Sequence, residues 1–151
     1  MNQNLAAALP ALLPRAIQWA EVEAKDALLR GRLLTPIESD LARQVGVRYP
    51  ERIRIKIVQA LPAPDDPKLR QAAIQAGFLG PGMVGLTLGY AVFICAGHDT
   101  SPTLLRHEFR HVHQYEMAGS ISAFLPLYLG QIVQCGYRDA PLEVDARAHE
   151  A

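Results

Sequence analysis

The residues best suited to chemistry in this chain lie in one run, LLRHEFRHVHQYE, Leu104 to Glu116, where three histidines, two glutamates and two arginines occupy thirteen positions. His107, Glu108 and His111 spell H-E-x-x-H. On a helix, imidazoles four residues apart project from one side and can share a metal ion, while the glutamate beside the first reaches water held there. Zinc held by nitrogen and oxygen ligands lowers the pKa of its bound water toward neutrality, and a neighbouring carboxylate can take the proton as that water attacks a polarised carbonyl. At roughly 100° per residue, His107, Glu108, His111, Leu104 and Tyr115 share about a third of the helix circumference. Leu105, Phe109 and Val112 take the adjoining arc and are expected to face the core. Arg106, Arg110 and His113 lie opposite, so only two of the three histidines can share an ion, and His113 is expected at the surface or in a second layer.

A catalytic zinc usually takes a third protein ligand and leaves one position to water. Downstream, Glu143, Asp145, His149 and Cys135 carry suitable donor atoms. Glu143 falls in the first turn of a predicted last helix, where the helix dipole alone already favours a carboxylate. Asp145 and His149 point well away from it on the same wheel, so only one of these faces can meet the metal. Cys135 ends an apolar run and is expected to pack there.

These residues need elements to position them. Ile17, Ala20, Ala24 and Leu28 recur at helical spacing, and Gly31 can end a first amphipathic helix over Ala16 to Leu29. The preceding proline-interrupted segment reads as an amphipathic lead into the domain. Thr35, Pro36 and Glu38 form a capping-box signature for a second helix to about Val45. In RIRIKIV, Arg52 to Val58, charge and isoleucine alternate with period two, which predicts a strand with Ile53, Ile55 and Ile57 on one face. KLRQAAIQAG predicts a short helix, and the glycine-bounded VGLTLGYAVFICAG, Val84 to Gly97, predicts one long strand or a hairpin. Ser101 and Pro102 open the motif helix and Gly119 ends it. SISAFLPLYLGQIVQCG reads as a buried helix, and DAPLEVDARAHEA as a last short helix with an aspartate cap.

The expected fold is α+β and mostly helical, with a short sheet next to the motif helix. A single domain over 1–151 is expected: N-terminal helices to about 46, sheet and motif helix over about 52–119, and C-terminal helices from about 120. The chain has 15 Lys+Arg against 15 Asp+Glu, so clustered positive charge for nucleic acid is not expected. The N-terminus fits neither a signal peptide nor a membrane span. The glycines of GFLGPGMVG lack the companions of a P-loop or dinucleotide site. Cys95 and Cys135 have neither disulfide-scaffold density nor zinc-knuckle spacing, and as buried thiols they suit a reducing cytoplasm.

With H-E-x-x-H on one helix and a glutamate on a later one, the chain resembles the gluzincin zinc metallopeptidases, and its size resembles the minimal prokaryotic members called minigluzincins. The similarity runs from about Val84 to Arg147. It implies a zincin-like fold, Zn2+ bound by His107, His111 and Glu143, and Glu108 as general base. It further implies a rim strand that pairs with an extended peptide or unfolded protein substrate, and a tyrosine or histidine stabilising the transition state. Tyr137, Tyr115 and His98 are available for that last role, and Arg138 could orient a carbonyl or carboxylate.

The expected function is that of a zinc-dependent endopeptidase. One alternative is a metal-stabilised, weakly active or self-blocked binding or toxin-associated module, with the apolar N-terminal segment or the short C-terminus blocking the cleft. Another is a metal-free helical scaffold.

Overall fold

The computed structural model describes residues 2–151 as a mixed α and β fold, mostly helical, with one small sheet. In chain order it comprises α1 (Gln3–Arg30), α2 (Pro36–Gln44), a 3-10 turn (Pro50–Arg52), β1 (Arg54–Val58), α3 (Pro67–Gln75), β2 (Gly85–Leu88), β3 (Ala91–Cys95), α4 (Pro102–Ala118), α5 (Ile121–Cys135) and α6 (Pro141–Ala148).

Val84 to Gly97 folds as a hairpin, β2 antiparallel to β3, while β1 pairs with β3 in parallel, giving the order β1-β3-β2. The central β3 is buried on both faces, which is why AVFIC reads as a continuous apolar run. Ala91 and Phe93 join a core built with α1 and α5, whereas Val92 and Ile94 face Ile53, Ile55, Leu105, Phe109 and Val112 on the other side. The arc of α4 predicted to face the core therefore anchors the motif helix against the sheet. Ile57 departs from expectation at 40% exposed, because its face of β1 opens to solvent beyond the level of Ile55.

The first helix is much longer than its periodic part. It begins at Gln3, capped by Asn2, and runs through Pro10 and Pro14. Both prolines are exposed, so the carbonyls they leave without an N–H partner can turn to water instead of being orphaned in the core. Two further expectations are corrected. The last helix is capped by Ala140 and not by Asp139; Gln131 of α5 supplies the missing side-chain cap by accepting the Leu142 N–H at 3.0 Å. Both cysteines are free, Cys95 half-buried and Cys135 exposed, since the end of α5 emerges from the core before Gly136. None of the described helices is long and apolar enough to cross a membrane.

Candidate metal centre

α4 lies beneath β2 and brings His107, Glu108 and His111 to one side, and α6 lays Glu143 across them. Ser101 caps the start of α4 and Gly119, in the left-handed region at φ 99°, ends it. The two imidazoles meet edge to face, with ring centroids 4.9 Å apart. His107 Nε2 is 3.3 Å from Glu143 Oε1, and His111 Nε2 is 2.9 Å from Glu143 Oε2. One donor atom from each of the three residues lies within 4.8 Å of the others. Glu143 is only 1% exposed, an expensive place for a carboxylate without strong partners.

A layer of side chains behind the imidazoles sets their direction. His107 Nδ1 is 2.8 Å from Glu150 Oε2, and His111 Nδ1 is 2.8 Å from Gln114 Oε1. The Gln114 amide cannot turn over, because its Nε2 donates to the Leu142 carbonyl and to Asp145 Oδ2, both at 2.9 Å. Asp145 is in turn gripped by Arg110 through two contacts, of 2.7 and 3.2 Å. Each Nδ1 thus has an acceptor for its proton, and each Nε2 is turned to Glu143.

The donor set fits a divalent cation such as zinc. With Nδ1 of each ring facing Glu150 or Gln114, each Nε2 is left to face a Glu143 carboxylate oxygen. Burial alone would depress the His107 pKa, but Glu143, Glu108 and Glu150 outweigh it and lift it to about 9; for His111, Glu143 and Glu108 likewise outweigh burial and the neighbouring His107, and its pKa is raised. Burial likewise works against the Glu143 carboxylate, yet His107 and His111 hold it well below its ordinary range. A cation among these donors would satisfy both Nε2 atoms and the carboxylate together, and two nitrogens with one oxygen is a zinc ligand set.

Glu108 sits beside this cluster, 5% exposed. Its Oε1 accepts a hydrogen bond from the Thr87 hydroxyl at 2.9 Å, and burial raises its pKa. Gly85 leaves the space for it: a Cβ there would stand 2.8 Å from Glu108 Oε2. Glu108, His111 and Glu143 open onto a cavity of about 150 Å³ walled mainly by α1, α3 and α5.

The other sequence candidates fall outside the cluster. Asp145 serves Arg110 and Gln114, His149 contacts the Asp145 carbonyl at 2.8 Å, and Cys135 is exposed at the end of α5. His113 meets the Gly46 carbonyl at 2.9 Å, on the far side of α4. Of the residues considered for transition-state stabilisation, Tyr137 lines the cavity and Tyr115 is stacked on Phe124 in the cavity wall. His98 is not among the cavity residues, and Arg138 offers its carbonyl, not its guanidinium, to Arg147. Sequence reasoning missed Tyr128, whose hydroxyl donates to Glu143 Oε2 at 2.7 Å, along with Thr87, Gln114 and Glu150. A lone tyrosine in the apolar run of α5 was the one sequence signal for Tyr128.

Two outcomes follow from this geometry. Glu150→Ala should weaken zinc binding by about 10- to 100-fold, with Glu150→Gln between it and the wild type, as measured by competition with a chromogenic chelator. In metal-free protein, the raised His107 pKa means that its stabilisation is complete below pH 6.5 and is lost as pH rises through about 9. Glu108, also raised, acts with the same sign; Glu143, lowered, contributes stability above pH 4.5 that is lost on acidification. Urea midpoints of the metal-free chain should therefore fall between pH 6.5 and 9, and added zinc should remove much of that fall.

No protein-family model, curated protein or solved structure gives a significant match to this chain.

Proposed function

We propose that this protein is a zinc-dependent peptidase. The observation that carries the reading is the convergence of His107, His111 and Glu143 donor atoms within 4.8 Å, with Glu108 buried on the helix that carries the two histidines. Zinc in that position would supply an acidified water and polarise the scissile carbonyl. Glu108 takes the proton of the attacking water and passes it to the leaving amine. Thr87 and the absent Cβ of Gly85 fix its carboxylate, and its raised pKa suits a group that must both accept and return a proton.

The sheet edge supports a peptide substrate. Cys95 N–H donates to the Val84 carbonyl at 2.9 Å, so the hydrogen-bonded pairs of the hairpin fall at 84, 86 and 88. The main-chain groups of Gly85 and Thr87 consequently point away from β3, where an extended chain can pair with them directly above Glu108.

Zinc per chain by elemental analysis, followed by a cleavage screen of an unfolded-peptide library, tests the proposal. One zinc with chelator-sensitive cleavage is expected; a protein that takes up no zinc would overturn it.

One observation bears on self-blocking. Leu5, Leu9 and Leu12 of α1 wall the cavity but leave space beside Glu108. Deleting residues 2–15 should accordingly lower peptide turnover by removing a wall. A rise from near zero would favour the self-blocked module instead.

A further inference from the structure

The cavity is lopsided in its chemistry. Its ionisable groups, Glu108, His111 and Glu143, sit together with Thr87, Tyr128 and Tyr137 at the metal-centre end. The remaining walls are almost wholly apolar, with Leu5, Leu9, Leu12 and Trp19 from α1 facing Leu129 and Ile132 of α5. Well-packed cores keep few voids larger than one water, and about 150 Å³ is on the order of ten such volumes. A cleft of that size with apolar walls gives water few hydrogen-bond partners and favours an apolar occupant.

Its shape narrows the class. The lining residues of α1 extend from Leu5 to Ala20, about 22 Å of helix at 1.5 Å per residue, so the space is a trough longer than one side chain. A peptide threaded along it would bury its own N–H and C=O groups against helices whose main-chain groups, apart from the few carbonyls freed by prolines, are already paired within the helix. Main-chain groups placed to pair with an extended chain lie along the outer edge of β2. An aliphatic chain has no such groups to satisfy, and a carbonyl at its end would arrive beside Glu108.

We infer that the trough binds the single long aliphatic chain of an acylated amide or acylated peptide and presents its acyl carbonyl to the His107, His111 and Glu143 centre. The inference rests on the hydrolytic reading above for its chemistry. Water adds its oxygen to the acyl carbon, the carbon–nitrogen bond breaks, and the amine departs with the proton carried by Glu108, leaving a carboxylic acid and an amine.

The test separates binding from hydrolysis. N-acyl glycinamides of 4, 8, 12 and 16 carbons are titrated calorimetrically, below their aggregation limits, into the zinc-free full chain. Affinity should rise about tenfold for every two carbons until the trough is full and then level off. Ala73→Phe, which projects a ring into the trough from α3, should weaken the 12-carbon amide at least tenfold and leave zinc content unchanged. Equal affinity across the series, or a phenylalanine-containing tetrapeptide binding as tightly as the 12-carbon amide, would overturn the inference. A chain that takes up zinc and cleaves unacylated peptides but shows no chain-length dependence sinks this inference alone; one that takes up no zinc sinks the hydrolytic reading.

Discussion

Glu143→Ala is expected to purify with little or no zinc from preparations in which the wild-type chain holds about one ion. Two imidazoles on one helix bind zinc weakly without a third ligand, and the loss should exceed the hundredfold ceiling typical of residues behind the ligands. Glu143 is also the acceptor for Tyr128 and for both Nε2 atoms, so its removal strands buried groups. Breaking a buried charge pair costs about 3–5 kcal/mol, offset in part as the imidazoles shed their protons. Glu143→Gln keeps the shape and the Tyr128 contact, so it should fold closer to the wild type while still binding zinc poorly. Elemental analysis together with thermal unfolding reads both effects. Wild-type zinc content in both variants would exclude Glu143 as a ligand and turn attention to Glu108 and Glu150, the remaining carboxylates nearby.

The largest effect on turnover is expected from Glu108→Gln. Glu108 lies beside the ligand cluster, so the variant should keep its zinc and, through the retained side-chain carbonyl, its contact with Thr87. General acid–base catalysis contributes roughly 10²–10⁴-fold, and peptide hydrolysis should fall by about that factor with zinc content unchanged. Gly85→Ala makes the same point by a different route, since the nearest atoms its methyl group would press on all belong to the Glu108 side chain. Activity should drop there as well, by less than in Glu108→Gln. Full turnover in Glu108→Gln would remove it as the base, whatever the metal content.

Much of this site could be read in the sequence because its key spacing is local. His107 and His111 are four apart on a helix whose cap, proline and terminal glycine all sit within the same run, so their common face follows from helical geometry. Glu143 was harder: 31 residues separate it from His111, and only packing of α6 against α4 decides between it, Asp145 and His149. The partners behind the ligands left still less trace. Gln114 reads as a polar helix residue and Glu150 as a tail carboxylate until the fold brings Asp145 and His107 to them. Thr87 and Gly85 belong to a strand whose depth beneath the cavity comes from β3 pairing on its far side. The length of α1 was underestimated because two prolines break the sequence pattern of a helix even when, being exposed, they do not break the helix. Tyr128 was concealed by the apolar composition of α5, whose periodicity reports only burial.

The placement of Glu143 on α6 and of both histidines on α4 also bears on how the chain folds. The whole of α5 lies between them, so an ion held by all three residues acts as a cross-link closing a loop of 31 intervening residues. Tying such a loop removes about 3–4 kcal/mol of conformational freedom from the unfolded chain in the loop-entropy picture, if the metal also stays bound there. The hairpin and α4 can associate through nearby contacts, whereas docking α6 must wait for α5 to fold back. In hydrogen exchange, α6 amides should open first without zinc and move toward the protection of α4 once zinc is added.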